Sequence, residues 1–273
     1  MIVRGLESCA NGMLALMDMN DNTANNLANV NTVGYKKGSI KFHDLMESAV
    51  YTQSESVLRN DSTRYLGDLS VGSAAFEYTH DFSQGALNQT DNPYDLAIEG
   101  DGFFKIQDVD GKVYYTRNGS FTRNDQDYLV TKQGEYVLDI NNRRIRMIPE
   151  DLDPDLIRDK VQIIIGEKGN IELDAGLQKY PMQTIGVWDF SNKDDLFEIS
   201  DTRFIQKTPE ENPELRSEKF VIQQGMLELS NCNVIKEMIN TINITRNYET
   251  LQKHVKTSGQ MLSQAISTGR LKF

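Results

Sequence analysis

The spacing of apolar residues changes twice along this chain, and this change restricts the possible folds more than any other feature of the sequence. Both ends carry positions that recur at alternating steps of three and four residues, the spacing of a helix face that packs against another helix. At a rise of about 1.5 Å per residue, the two series predict helices of about 40 and 50 Å. Gly34 is predicted to end the first helix as its C-terminal cap. The first series is Val3, Leu6, Ala10, Met13, Met17, Asn20, Ala24 and Leu27, and the second is Val234, Met238, Thr241, Thr245, Tyr248, Gln252, Val255, Gly259, Leu262 and Ile266.

Between the two series, apolar residues alternate with polar ones, as in strands that bury one face. Short segments such as "YDLAI", "FFKIQ" and "EYVLDI" are rich in β-branched and aromatic residues and are separated by turn sequences. In the turn sequence "EGDG", Gly100 and Gly102 are predicted to form a tight turn that leads into the next strand. The close spacing of these strands predicts an all-β sandwich or barrel.

Together these patterns predict an α+β fold. Long N- and C-terminal α-helices would pair as a coiled-coil domain, with an inserted all-β, sandwich- or barrel-like middle. We assign residues 1–40 and 225–273 to the terminal coiled-coil domain, residues 41–90 to an extended linker with β pieces, and residues 91–224 to a β-rich outer domain. Several seam positions are small or polar, so the seams would make a weak dimer core. A simple antiparallel helix pair within one domain is the alternative interpretation.

The composition argues against several classes of function. The formal net charge of −11 makes nucleic acid a poor partner, because affinity for phosphate backbones comes from Lys and Arg. It suits anionic membrane surfaces equally poorly, and no apolar stretch approaches the roughly 20 residues of a membrane span. The first residues lack the continuous apolar region of a cleaved signal peptide. Cys9 and Cys232 lie near opposite ends and predict neither a disulfide framework nor a zinc site.

We find no catalytic, cofactor-binding or metal-binding pattern in the sequence. His43, His80 and His254 are isolated from one another and from cysteine. The glycines of "EGDG" lack the third glycine and the following helix of a dinucleotide-binding motif. "DLDPD" has the alternating aspartates of a calcium loop, but Leu156 and Gln162 stand where Gly and Glu are required. The sequence therefore predicts a protein that is not an enzyme and uses no cofactor or metal.

Three segments of the chain resemble one protein family. "ANNLANVNTVGYKKGSIKF" (residues 24–42) resembles the N-terminal signature of flagellar rod, hook and hook-associated proteins. "QGALNQTDNPYDLAIEGDGFFKIQ" (residues 84–107), with "YTRNGSFTRNDQDYLVTKQG" after it, resembles the rod-protein core motif. Residues 222–262 resemble the C-terminal signature of the family. The matches occur in order and span most of the chain, which is therefore similar to the flagellar basal-body rod proteins.

The resemblance implies a structural subunit that polymerises helically into the axial drive shaft. This shaft would cross the periplasm and transmit torque to the hook. The length and the core motif favour a rod protein, with a lean towards the distal rod. A proximal rod subunit and a hook or hook-associated axial protein are the alternatives within the family. A monomeric β-domain adhesin or binding module on a helical stalk is the alternative from another class.

The resemblance also implies partners and a location. The partners would be further copies of the chain, other axial proteins of the rod and hook, and ring bushing proteins. The flagellar type III export apparatus would export the chain to the periplasmic rod of the basal body without a cleaved signal peptide. Nucleic-acid binding and membrane insertion are not expected.

Six asparagines between Asn20 and Asn31 conflict with the helical spacing of the same stretch, because asparagine is a poor helix former. We interpret these amides as groups that meet a neighbouring subunit, since an amide both donates and accepts hydrogen bonds. The residues predicted to pack between subunits are Leu6, Met13, Met17, Asn20, Asn22, Ala24, Asn25, Asn26, Leu27, Asn29, Val234, Met238, Thr245, Tyr248, Val255 and Leu262.

Overall fold

The chain forms two compact units. The computed structural model describes residues 2–52, 64–148, 162–174, 179–200, 202–217 and 219–270. The first unit, which we call the helical unit, comprises Met1–Ala28, Gly38–Thr79 and Asn233–Phe273, and the second, which we call the β unit, comprises Asn29–Lys37 and His80–Cys232. The chain therefore passes between the units at four points, after residues 28, 37, 79 and 232.

The helical unit contains two long helices, α1 (Ile2–Ala28) and α2 (Val234–Arg270). Helical ends around a β-rich middle agree with the α+β class, but the predicted long coiled-coil pairing is wrong. None of the predicted seam positions whose burial is described is fully buried. Met17 and Met238, both at seam positions, expose 52% and 50% of their surface. Residues 259–268 of α2 are all exposed, so a buried seam does not continue through the end of that helix.

The buried face of α2 is displaced by one residue from the predicted seam. Glu237 and Ile244 are buried, whereas the prediction placed Met238 and Thr245 at these levels of the helix. One residue corresponds to a rotation of about 100° around the helix axis, which carries Met238 and Thr245 away from the contact. The pattern of apolar residues alone could not separate the two faces, because Ile235, Met238 and Ile242 make the exposed one equally apolar.

α1 and α2 approach each other closely at Gly12. Gly12 faces α2, and a Cβ at this position would lie 3.2 Å from Leu251 Cδ1. Beside it lies an open groove of about 390 Å³, lined by Ala15, Leu16 and Met19 of α1 and by residues of α2.

The amides near the end of α1 have partners inside the chain. Asn26 is buried; its Nδ2 donates to the Gly38 carbonyl at 2.9 Å, and its Oδ1 accepts from the Gly38 N–H at 2.9 Å. Asn22 Nδ2 donates to the same carbonyl at 2.9 Å. Gly38 is the first residue of β1 (Gly38–Thr52), which pairs with β2 (Arg64–His80). Asn22 and Asn26 therefore fasten the last turns of α1 to the start of β1.

The β unit is built from short antiparallel strands. The largest sheet has the order β14-β15-β6-β5-β9-β8-β7; β13 also pairs with β5, and β16 pairs with β13. A three-stranded sheet, β10-β11-β12, and the pairs β17–β4 and β18–β3 complete the described strands. The strands are β3 (Leu87–Gln89), β4 (Leu96–Gly100), β5 (Phe103–Gln107), β6 (Val113–Thr116), β7 (Phe121–Arg123), β8 (Leu129–Thr131), β9 (Tyr136–Val137), β10 (Gln162–Ile165), β11 (Asn170–Asp174), β12 (Lys179–Thr184), β13 (Val187–Asp189), β14 (Leu196–Ser200), β15 (Arg203–Gln206), β16 (Leu215–Arg216), β17 (Phe220–Gln224) and β18 (Met226–Glu228), and a 3-10 helix spans Lys193–Asp195.

Two apolar clusters form the core of the β unit, and β5 contributes to both. Phe104 lies in the main cluster with Leu96 and Ile98, whereas Phe103 lies in an aromatic cluster with Phe204 and others. Successive side chains of a strand point to opposite faces of a sheet, so this one strand serves both clusters.

Two glycines form the turn that leads into β5. Gly100 and Gly102 have φ angles of 109° and 128°, which side chains with a Cβ rarely adopt. A Cβ at Gly102 would also lie 2.5 Å from Val187 Cγ1. Glycine is therefore required here to turn the chain sharply between β4 and β5.

In the described part of the chain, no helix has the length and apolar character needed to cross a membrane. Within the same residues, no group of three His, Cys, Asp or Glu side chains is placed to hold a metal ion.

Replacing Asn26 by Leu should destabilise the isolated chain, because the buried N–H of Gly38 would lose its acceptor. An unsatisfied buried backbone group costs about 1–3 kcal/mol. Thermal unfolding followed by far-UV circular dichroism should show a lower midpoint for Asn26→Leu. Asn20→Leu, in the same helix but without a bond to Gly38, is the control. Equal midpoints for the two variants would contradict this role of Asn26.

Candidate functional site

Five polar side chains lie where the chain enters and leaves the β unit. We call Lys36, Gln84, Arg117, Glu228 and Asn231 the crossing cluster; all five belong to the β unit. Lys36 follows the turn after α1, Gln84 follows β2, and Glu228 and Asn231 precede α2. Arg117 follows β6 and reaches the same place from the largest sheet. The three segments that carry the resemblance to rod proteins thus supply residues to one cluster.

The carboxylate of Glu228 lies at the centre of this cluster, and its side chain has 0% exposure. Its Oε1 accepts from Lys36 Nζ at 2.7 Å and from the Gly85 N–H at 2.9 Å. Its Oε2 accepts from Arg117 Nη1 at 3.3 Å. Three donors from three distant segments therefore compensate one carboxylate that has lost its water.

The two cations of the cluster are also buried and also hold backbone carbonyls. Lys36 Nζ donates to Ser83 O at 2.7 Å, and Arg117 Nη2 donates to Gly100 O at 2.8 Å. Burial lowers the pKa of the Lys36 ammonium below its usual 10.5, while the neighbouring Glu228 acts in the opposite direction. Burial likewise lowers the pKa of the Arg117 guanidinium, again opposed by Glu228. Both cations therefore depend on the same carboxylate.

The two amides of the cluster connect backbone segments. Asn231 Oδ1 accepts from the Lys37 N–H at 2.8 Å, and its Nδ2 donates to Asp81 O at 2.7 Å. Gln84 Nε2 donates to Ile98 O at 3.2 Å. Asn231 therefore joins three of the segments at which the chain enters or leaves the β unit.

The backbones in this region approach each other closely. The Gly34 N–H donates to Glu228 O at 2.8 Å, and the Leu229 N–H donates to Ala86 O at 2.8 Å. Gly34 has a φ of 71°, and a Cβ on it would overlap the backbone of Asn118. α1 ends at Ala28, so Gly34 is not the cap that the sequence suggested. It permits a close approach of the segment after α1 to the β unit.

His80 lies at the edge of this region. Its Nδ1 is 3.4 Å from Lys36 O, and its Nε2 is 3.5 Å from Glu198 Oε2. Its ring meets the edge of the Phe204 ring at a centroid distance of 5.3 Å. Burial lowers the pKa of His80 below its usual 6.5, and burial raises the pKa of the Glu198 carboxyl. Compared with the unfolded chain, the folded chain therefore shifts each group towards its neutral form.

The structure places the predicted packing residues at different depths on the two helices and in the turn after α1. Asn26 is the buried member of the set, and its amide is accounted for by Gly38 within the chain. The half-buried members are Leu6, Met13, Asn20, Asn22, Leu27, Asn29, Val234, Tyr248 and Val255, and the exposed members are Met17, Ala24, Asn25, Met238, Thr245 and Leu262.

Sequence reasoning did not identify the crossing cluster. Lys36, Arg117 and Glu228 stand in sequences that are typical of turns and exposed strand ends, where charged residues need no special explanation. A usable signal was that each lies inside a segment that resembles the family. The sequence contained nothing to pair them, because Lys36 and Glu228 are 192 residues apart.

Comparisons with known proteins show the family to which this chain belongs. Residues 97–173 match the family model described as the flagellar hook protein FlgE/F/G D1 domain, and residues 223–268 match that of the flagellar basal body rod FlgEFG protein C-terminal region. The flagellar basal-body rod protein FlgG of Borreliella burgdorferi is 33% identical over 98% of this chain and 100% of its own length. This chain belongs to the flagellar basal-body rod protein family.

Other rod proteins are similar over nearly the same length. FlgG of Agrobacterium fabrum is 32% identical over 96% of this chain and 97% of its own length. FlgF of Caulobacter vibrioides is 31% identical over 90% of this chain and 89% of its own length. The flagellar rod family is a family of structural proteins and not an enzyme class. In such a protein, a buried and hydrogen-bonded ion cluster acts on shape and stability.

Replacing Gly34 by Ala should lower the free energy of unfolding of the β unit. A positive φ costs a residue with a Cβ about 1–3 kcal/mol, and the overlap with Asn118 adds to this cost. Gly111→Ala is the matched control, because Gly111 has a φ of 84° but open space around it. Urea unfolding should therefore give a clearly lower midpoint for Gly34→Ala than for Gly111→Ala. Equal midpoints would mean that the close approach of the segments is not important.

His80 should make the chain less stable as the pH falls. Its pKa in the folded chain is below 6.5, so the unfolded chain takes up the proton first and the free energy of unfolding decreases. The raised pKa of Glu198 acts in the opposite direction, because the folded chain binds that proton first. His80→Gln removes only the first contribution. Its stability relative to the unmodified chain should therefore increase between about pH 7 and about pH 5.

Urea unfolding at both pH values would measure this difference. His254→Gln, at an exposed position of α2, is the control variant, since it also removes one imidazole. The assignment to His80 fails if the two variants respond to pH in the same way.

Proposed function

We propose that this chain is a subunit of the distal part of the flagellar rod. The subunits polymerise helically into the shaft that crosses the periplasm and transmits torque to the hook. The observation that carries the proposal is the end-to-end relationship to proteins named FlgG, at 33% identity over 98% of the chain. The proximal rod is the second candidate within the family.

Exposed apolar side chains on the helices support polymerisation. Ile235, Met238, Ile239 and Ile242 form one stripe on the first turns of α2, and Ile239 and Ile242 expose 52% and 51% of their surface. Leu14 and Met17 of α1 are exposed as well. Contiguous apolar surface of this kind marks sites of protein–protein contact. A contact between different surfaces of identical subunits produces a helical polymer when its rotation does not close into a ring.

The predicted packing residues fit this proposal to different degrees. Met17 and Met238 are among the exposed apolar residues and are the strongest members of the set. Asn22 and Asn26 bind Gly38, so their amides act within the subunit. We propose that the other exposed and half-buried members contact neighbouring subunits along the rod.

Further partners follow from the same proposal. They are other axial proteins of the rod and hook, the ring proteins that form the bushing around the rod, and the flagellar type III export apparatus. The outer surface of the β unit would face the ring proteins. The adhesin alternative requires a monomer, so the self-assembly of the chain distinguishes the two hypotheses.

Replacing Ile239 and Ile242 by Glu should prevent assembly while leaving the subunit folded. The two side chains are about half exposed in the single chain, so the charges cost little there, but in a packed interface they would be buried. In a strain that lacks the gene, the unmodified chain should restore rods and swimming, and the double variant should restore neither. Electron microscopy of purified basal bodies and swimming assays would measure both.

Asn240→Glu with Asn243→Glu, at exposed polar positions of the same turns, is the control and should assemble. Intact rods in the deletion strain without any copy of the gene would overturn the proposed function. Intact rods with the Ile239 and Ile242 double variant would overturn only the role of the stripe.

A further inference from the structure

The four passages of the chain between its units determine how a force along the backbone enters the β unit. They follow residues 28, 37, 79 and 232, so the β unit receives the chain through residues 29–37, through residues 80–86 and through the residues before Asn233. A tension applied along the chain reaches the β unit first at these three segments. If the segments were independent, each would transmit its tension to a different strand.

The crossing cluster joins these segments to one another. The segment after α1 is bound to the segment before α2 by the Lys36–Glu228 pair at 2.7 Å and by the bond from Lys37 N–H to Asn231 Oδ1 at 2.8 Å. The segment after β2 is bound to both, through Ser83 O to Lys36 Nζ and through the Gly85 N–H to Glu228 Oε1.

Arg117 connects the joined segments to the interior of the β unit. It binds Glu228 at 3.3 Å and the carbonyls of Ile98 and Gly100 at the end of β4, at 3.4 and 2.8 Å. Its guanidinium also lies over the Phe103 ring, 5.4 Å from the centroid. Arg117 therefore attaches the segments to β4, at the edge of the main core, and to the aromatic core, in addition to the bond from Gln84 Nε2 to Ile98 O.

We propose that the crossing cluster is a mechanical junction, which distributes a force that enters through one passage over all the segments and into the core of the β unit. Its use in torque transmission rests on the proposed function, but the junction itself is a property of the single chain. The direction of the force decides whether the cluster bears it. A force applied to the two chain ends acts between the first and last residues of the β unit, and the bonds between Gly34, Lys36 and Glu228 connect the segments at these two ends.

Pulling on the two ends of the full chain with optical tweezers tests this junction. Once α1 and α2 are drawn out, the tension acts on Asn29 and Cys232. Glu228→Gln keeps the size of the side chain but removes the charge that compensates Lys36 and Arg117, and losing one partner of a buried pair is strongly destabilising. The β unit should then unfold at least about tenfold faster at the same force.

Glu135→Gln is the matched control. Glu135 is also buried and also paired, with Arg203 at 2.6 Å, but its described side-chain bonds, to Thr131 and Arg203, do not reach the three segments of the passages. Both variants should speed unfolding in urea, where no direction is imposed. For Glu228→Gln, the increase in the unfolding rate should be larger under end-to-end tension than in urea. For Glu135→Gln, the increase under tension should not exceed the increase in urea.

Asn231→Ala provides a second variant if Glu228→Gln does not fold, since it removes only the amide bonds to Lys37, Asp81 and Ser83. It should give the same excess under tension at a smaller size, about threefold in rate, as expected for lost hydrogen bonds. For each variant, the increase in unfolding rate under tension can be divided by the increase in urea. If this ratio were the same for the cluster variants and the control variant, the proposal of a junction would be overturned. That result would leave rod assembly, and hence the proposed function, untouched.

Discussion

The pairing of the buried Glu228 carboxylate with its donors is the interaction on which the arrangement of the β unit depends. A charge without water is tolerated only when it is paired and fully hydrogen-bonded. Here the compensation comes from Lys36, Arg117 and the Gly85 N–H, which belong to segments far apart in the chain. If one of these segments separated from the others, the buried carboxylate of Glu228 would lose one of its three hydrogen-bond donors. The cluster therefore couples the ends of the β unit to its core in one cooperative structure.

The two units separate two physical tasks. In the β unit, the charged groups of the crossing cluster are buried and paired with one another, so these interactions do not require a neighbouring subunit. On the helices, apolar side chains such as Ile239 and Leu14 remain exposed, and they can gain from burial only against something else. A rod subunit needs both properties, since a fixed shape makes repeated contacts identical and exposed apolar surface makes them favourable.

The sequence predicted the kinds of elements well and their faces poorly. Helical spacing at both ends and alternation in the middle correctly indicated two long helices and a β-rich centre. The predicted seam of α2 was wrong by one residue, because α2 has apolar side chains on two neighbouring faces and Glu237 lies on the buried one. Asn26 was assigned to a subunit contact, whereas the structure binds it to Gly38, a partner that helical periodicity cannot indicate.

The sequence by itself determined the class of the fold, the turns at Gly100 and Gly102 and, through its three motifs, the family. These features are local, because periodicity, turn residues and signatures are read within a few neighbouring positions. Only the tertiary structure decided which face of each helix is covered and which charges meet. Lys36, Arg117 and Glu228 have no local relationship, and their pairing exists only because the folded β unit removes them together from water.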